Sequence, residues 1–255
     1  MISKNIQIKN GNYIIPGTYV YPNDMNKKVP CLLLLHGFLS SKNGDGKLLV
    51  KVAEGLASNG IASLRIDFCS CGENKRDRKD YNIDNLIIET KKAYEELKNN
   101  ELIDTNRIGI LGHSLGGLIS FKVADLNPKC IITLNGAMKS NLYEHYLSIK
   151  NEFKDGYYIM PQSDGRNEKL YESFYKCDNL TNNIYPKYDG NKLMCIGESD
   201  PRILPAWQHE YARSINADII SIAEANHTFN AKTGDYTKVN ELSEKLNIWL
   251  KKIFY

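Results

Sequence analysis

Gly112, Ser114 and Gly116 stand between a short apolar run, Ile108 to Leu111, and a stretch from Leu118 to Asp125 with helical spacing. Glycines on either side of a serine at a strand-to-helix turn let two backbones pass close together. They also let the serine adopt a strained conformation with its hydroxyl exposed. The helix that follows aims its unpaired N–H groups and the positive end of its dipole at any charge developing beside the serine. Ser114 is therefore a candidate nucleophile, and such a residue needs a base, an acid that orients the base, and donors for an oxyanion.

In an open parallel sheet, functional groups gather just beyond the C-terminal ends of the strands. The apolar run Lys192 to Ile196 is followed by Gly197-Glu-Ser-Asp200-Pro, and Asp218 to Ile222 by Ala-Glu-Ala-Asn-His227-Thr-Phe. Asp200 and His227 are the candidate acid and base: an imidazole takes the serine proton, and a buried carboxylate fixes its tautomer and stabilises its cation. Glu198 is a rival acid, but it lies nearer its strand. The backbone N–H groups of Leu115, after the nucleophile, and of Phe38, after His36-Gly37, are the candidate oxyanion donors.

His36, Gly37 and His113 are candidate substrate-side residues, with His36 expected to hydrogen-bond the backbone beside the oxyanion loop and His113 to pack. His145 and His209 are expected at the surface. Cys69-Ser-Cys71 has no second pair at metal-ligand spacing, so neither a metal nor an organic cofactor is expected.

These residues need a scaffold. Residues 5 to 21 read as an antiparallel hairpin turning at Asn10-Gly11, which makes an edge of a sheet. Val29 to Leu35 is a continuous apolar run, hence a strand covered on both faces. Gly44 to Asn59 follows as a helix closed by Gly60, then Ile61 to Ile66 as a strand, Asn82 to Asn99 as an amphipathic helix, Arg107 to Leu111 as the strand before Ser114, and Cys130 to Leu134 as another buried strand. Such alternation specifies a mostly parallel, twisted sheet with right-handed crossovers and helices on both faces. The pattern breaks from Gly136 to Gly190, a stretch with eight of the sixteen tyrosines, expected to be a cap-like insertion over the C-terminal edge. It resumes with Lys192 to Ile196 (strand), Pro205 to Ser214 (helix), Asp218 to Ile222 (strand) and Tyr236 to Ile253 (helix).

At 255 residues, 42% hydrophobic and 25% charged, the chain suits one domain with its own core. Its 33 basic and 30 acidic residues are interspersed, which speaks against nucleic acid and against a polybasic membrane anchor. The N-terminus lacks the apolar run of a signal peptide, and the stretch Cys31 to Leu35 is too short to span a bilayer. A cytoplasmic protein with reduced cysteines is the expectation, as a monomer or small homo-oligomer.

With these residues in place the chain resembles the α/β-hydrolases over nearly its whole length. The likeness rests on His36-Gly37-Phe38, Arg65-Ile66-Asp67-Phe68 with Gly72, Gly112-His-Ser-Leu-Gly-Gly117, Gly197-Glu-Ser-Asp200 and Asn226-His227-Thr-Phe229. Within that superfamily it is similar to small bacterial carboxylesterases of the cinnamoyl/feruloyl esterase type and to acyl-peptidase-like relatives. It departs from them where they read Asp-x-Arg-Gly-x-Gly-x-Ser: here stands Asp67-Phe-Cys-Ser-Cys-Gly72-Glu-Asn. The resemblance implies a Ser114-His227-Asp200 triad acting on small esters through an acyl-enzyme. An amidase or peptidase of the same fold, and a non-catalytic ligand-binding homologue, are the competing readings.

Overall fold

A computed structural model describes residues 1–138 and 188–255, together with residue 151 and the short strands Tyr157–Tyr158 and Arg166–Asn167. The expected insertion, 136–190, falls mostly outside the described residues, and so does His145.

The hairpin forms from β1 (Ile2–Asn10) and β2 (Tyr13–Tyr21), paired antiparallel around Gly11 at φ +59°. Then come β3 (Val29–Leu35), α1 (Leu48–Ala57), β4 (Ala62–Ile66), α2 (Ile83–Asn99), β5 (Ile103–His113), α3 (Leu115–Lys122) and β6 (Cys130–Leu134). The two short strands, β7 and β8, pair with each other. After them run β9 (Asn191–Gly197), α4 (Pro205–Ser214), β10 (Asp218–Ile222) and α5 (Thr237–Phe254).

Eight strands join in the order β1-β2-β4-β3-β5-β6-β9-β10, parallel from β4 to β10. Every residue of β3 is buried, and period-2 alternation sends its leucines to opposite faces. Leu33 and Leu35 join Leu86, Leu97, Leu118 and Ile119 from α2 and α3. Leu32 and Leu34 join Leu49, Val52, Leu242 and Leu246 from α1 and α5. Each leucine so buried contributes about 2 kcal/mol, so the core and not local propensity holds this strand in place. From β3 the chain crosses to β4 on one side and later returns to β5 on the other, leaving a crevice at the C-terminal ends of β3 and β5.

Of the boundaries that differ from the sequence reading, three have a clear local cause. The first helix begins at Leu48 and not Gly44, because Gly44, Gly46 and Lys47 all have positive φ and form a separate turn. Strand β5 begins at Ile103, since Ile103 pairs with Val29 before the register shifts to Cys31 and Ile108, and the polar residues between bulge from the ladder. Helix α3 begins directly after Ser114, where Gly116-Gly117 hides a helical start that packing imposes.

Candidate active site

Ser114 sits between β5 and α3 with φ 51° and ψ −117°, a backbone region that costs energy for any residue with a side chain. Close packing enforces it. A Cβ on Gly112 would lie 2.0 Å from the Gly116 carbonyl oxygen, and one on Gly116 would lie 2.3 Å from that of Leu35. The turn is tied to β6 as well, the Ser114 N–H donating to Leu134 O at 3.0 Å and the Ala137 N–H to Ser114 O at 3.0 Å. Within residues 111–120 only Ser114 is not buried. Leu115 opens α3, so its N–H is among those a helix leaves without an intrahelical partner.

The loop after β3 lies against this elbow. A Cβ on Gly37 would come within 3.3 Å of the Ser114 Cβ, which brings the Phe38 peptide into the same neighbourhood. His36 holds the loop from behind: it is fully buried, its Nε2 accepts the Phe68 N–H at 3.1 Å, and its Nδ1 lies 2.7 Å from Gly37 O. Those partners require Nδ1 to carry the proton. Burial lowers the imidazole pKa below its ordinary value, so His36 stays neutral and braces two loops.

Tyr81 braces the loop from the other side. Its hydroxyl accepts the Leu39 N–H at 3.0 Å, and its ring meets Phe38 edge to face at 5.9 Å. Asp67, at the end of β4, takes the Lys42 N–H at 2.6 Å and the Lys42 ammonium at 2.8 Å, with Gly72 packed against its carboxylate. The departure at Cys69, Ser70 and Asn74 therefore leaves this anchor intact. Instead the Cys69 N–H finds the buried Glu89 carboxylate at 2.7 Å.

At the other side of the crevice, His227 Nδ1 lies 2.7 Å from Asp200 Oδ2. The second Asp200 oxygen accepts the N–H groups of Arg202 at 2.8 Å and Ile203 at 3.1 Å. With a carboxylate facing Nδ1, that nitrogen carries the proton, and Nε2 keeps the lone pair that can accept another. Asn226 shapes the turn around His227, its Oδ1 taking the N–H groups of Thr228 and Asn230 at 3.0 and 2.9 Å. Glu198 does not reach His227; it pairs at 2.9 Å with His209 of α4, at the surface as expected.

His113 is buried, and its Nε2 lies 2.9 Å from the His227 carbonyl oxygen, so it does more than pack. His36 and Gly37 are buried as well. Two residues escaped the sequence reading. Tyr81 is one. Asn135, whose side chain bonds Gly197, Asn226 and His227, is the other. The only sequence signal for Asn135 is a polar residue directly after a buried strand.

Among the described residues there is no group of three or more His, Cys, Asp or Glu placed to hold a metal ion. Cys31, Cys69, Cys71, Cys130 and Cys195 are buried and free, and burial raises the thiol pKa of each. No helix of the described residues is long and apolar enough to cross a membrane.

Comparison with known proteins places the chain in a family. Residues 73–254 match the prolyl oligopeptidase family, and the chain belongs to it as a serine hydrolase of α/β-hydrolase fold. The polyketide transferase ATR5 of Stachybotrys chlorohalonatus (strain IBT 40285) is 30% identical over 112 residues, 44% of this chain. That match spans 36% of the transferase, so the chain covers about a third of this relative. Among solved structures, Est1E from Butyrivibrio proteoclasticus superposes with a TM-score of 0.80 at 16% identity, covering 98% of each chain. Est1E with bound ferulic acid gives the same score over 97% of this chain and 98% of that one. The α/β-hydrolase GrgF from Penicillium sp. sh18 follows at 0.77 and 14% identity, covering 100% and 99%. At such identities the likeness is one of fold.

Proposed function

We propose that this protein is a carboxylesterase of small esters, with Ser114 as nucleophile, His227 as general base and then acid, and Asp200 as the group that orients it. The observation that carries this reading is the His227–Asp200 hydrogen bond of 2.7 Å at the sheet edge that also bears the strained Ser114 turn. In the first half-reaction the Ser114 hydroxyl oxygen bonds to the ester carbonyl carbon while its proton passes to His227 Nε2. The tetrahedral oxyanion is met by the N–H groups of Leu115 and Phe38. Collapse breaks the bond to the alcohol, which leaves with the proton from His227, and water repeats the sequence to free the acid.

The acyl group we favour is aromatic, of the hydroxycinnamoyl kind. Seven tyrosines between residues 143 and 185 would offer flat apolar faces with hydroxyls at the edge, whereas Tyr188 lies away from the site, its hydroxyl bonding Pro128 O at 2.8 Å. Est1E, whose fold this chain shares, has been solved with ferulic acid. A second reading, hydrolysis of peptides or other amides, is favoured by the family match, whose name is that of a peptidase.

The test has two arms. A fluorophosphonate probe is expected to label Ser114 alone, and label on another serine, or none on the folded protein, removes the nucleophile. Methyl ferulate and p-coumarate are expected to exceed butyrate, decanoate and matched anilide substrates in kcat/KM. Faster decanoate turnover would leave only a general esterase, and faster anilide turnover would move the assignment to the second reading.

A further inference from the structure

The acid and the base of the proposed site come from two separate loops, 197–200 after β9 and 223–229 after β10, and catalysis needs them in register. Part of that register is backbone pairing, since the Glu198 N–H donates to Ile222 O at 3.0 Å and the Ser199 N–H to Ala225 O at 2.9 Å. The histidine itself, however, lies beyond those pairs. Two side chains from other parts of the sheet reach its carbonyl: His113 at the end of β5 and Asn135 just after β6, and of these Asn135 also holds the acid loop.

Asn135 follows β6 with φ +45°, a left-handed conformation that asparagine tolerates better than most residues, and it is fully buried. Its own N–H is taken by Cys195 O at 2.9 Å, which fixes the residue to β9. Its Oδ1 accepts the Gly197 N–H at 2.7 Å, at the root of the acid loop. Its Nδ2 donates at 3.1 Å to Asn226 O and at 3.1 Å to His227 O, in the base loop. The amide orientation is not ambiguous, because a flip would set Oδ1 against two carbonyl oxygens and Nδ2 against an N–H. Gly197 completes the junction. A Cβ there would lie 2.7 Å from Ala225 O and 2.8 Å from Asn226 O, so only glycine lets the loops approach closely enough for one carboxamide to bridge them.

We propose that Asn135 is a positioning residue that sets the His227 imidazole on Asp200 by holding both loops through one amide; the proposal rests on the reading of Ser114, Asp200 and His227 given above. No other side-chain type of this size does the same. Aspartate keeps the acceptor for Gly197 but turns its second oxygen toward two carbonyls that need a donor, and leucine offers neither. The His227 carbonyl receives a second donor, His113 Nε2, so loss of Asn135 is expected to loosen the histidine without releasing it.

Two variants that tolerate the positive φ, Asn135→Asp and Asn135→Gly, test this on the full chain. An ester turned over by the wild type, such as p-nitrophenyl butyrate, gives kcat and KM across pH. NMR reads the low-field proton of the His227–Asp200 hydrogen bond. A misplacement of the base on the ångström scale is expected to lower kcat about a hundredfold in Asn135→Asp, with KM changed by less than about threefold. The midpoint of the pH profile is expected to move, and the low-field proton to broaden or disappear. Asn135→Gly is expected to show the same signs more weakly. Wild-type kcat, pH midpoint and low-field proton in both variants, with only the melting temperature reduced, would overturn the proposal and leave Asn135 a structural brace. If the low-field proton responds to the variants while the wild type turns over no ester, the positioning role stands and the esterase reading falls.

Discussion

His113, the residue before the nucleophile, donates its Nε2–H to the backbone carbonyl of His227 at 2.9 Å, and the two rings lie 4.9 Å apart. A carbonyl can only accept, so the donor nitrogen and hence the tautomer of His113 are settled. Its Nδ1 then holds a lone pair that has no hydrogen-bond partner among the described residues. Burial first, and the nearby His227 second, lower the His113 pKa to about 4. In the proposed mechanism this keeps the neighbour uncharged while His227 becomes an imidazolium, so the cation forms beside a neutral ring and opposite the Asp200 carboxylate.

The two carboxylates of the acid loop are separated by their partners. Asp200 faces His227, whereas Glu198 faces His209. Asp200→Asn is expected to lower kcat by about 10³ to 10⁴, because an amide leaves the imidazole in the wrong tautomer and its cation uncompensated. Glu198→Gln removes a partly exposed pair worth little and is expected to stay within about threefold of the wild type. Steady-state kinetics on both variants, with circular dichroism to establish folding, checks the ranking. The reverse order would make Glu198 the acid.

Gly116 and Gly37 meet different neighbours and should fail differently. At Gly116 an added methyl strikes backbone at Leu35, so Gly116→Ala is expected to cost about 3 kcal/mol or more, or to prevent soluble expression. At Gly37 it would meet the His113 ring at 3.2 Å and the Ser114 Cβ at 3.3 Å, contacts relieved by shifts of a few tenths of an ångström. Gly37→Ala is therefore expected to fold with a nearly unchanged melting temperature yet lose about tenfold or more in kcat, since the Phe38 donor moves away from the oxyanion. Thermal melts alongside kinetics decide it, and a Gly37→Ala enzyme with wild-type kcat would remove Phe38 from the oxyanion site.

What could be read from residues alone follows the range of the interactions involved. Val29–Leu35 and Cys130–Leu134 announce themselves because continuous burial leaves a continuous apolar run. Ser114 and Asp200 are legible because each follows such a run, and His227 because it follows the edge strand Asp218–Ile222, all at the end of the sheet where parallel strands deliver chemistry. Asn135 and Tyr81 are not, because their meaning lies in partners 62, 92 and 42 residues away, which no local pattern encodes. The start of α3 is hidden for the opposite reason: Gly116 and Gly117 lower local helix propensity, and their contacts with neighbouring backbone override it.

The pH dependence of stability offers a test that needs no substrate, because buried groups around the site oppose one another. His113 falls from an ordinary 6.5 to about 4, so the folded state binds fewer protons than the unfolded chain between those values. Its contribution is complete above pH 6.5 and is lost as pH drops toward 4, and His36, also lowered by burial, acts in the same sense. Glu89 goes the other way. Buried beneath the 69–76 loop, it rises from 4.5 to about 7, chiefly through desolvation that outweighs the Cys69 N–H and Arg76. Its contribution is complete below pH 4.5 and is lost as pH climbs through 7, an effect of about 3 kcal/mol across the window. The two slopes cancel in part between pH 4.5 and 6.5. Glu89→Gln removes the falling one, so the difference in unfolding free energy between wild type and variant is expected to shift against the wild type as pH rises from 4.5 to 7.5. Urea unfolding at intervals across that range measures it, and parallel stability curves would show that Glu89 ionises normally in the folded protein.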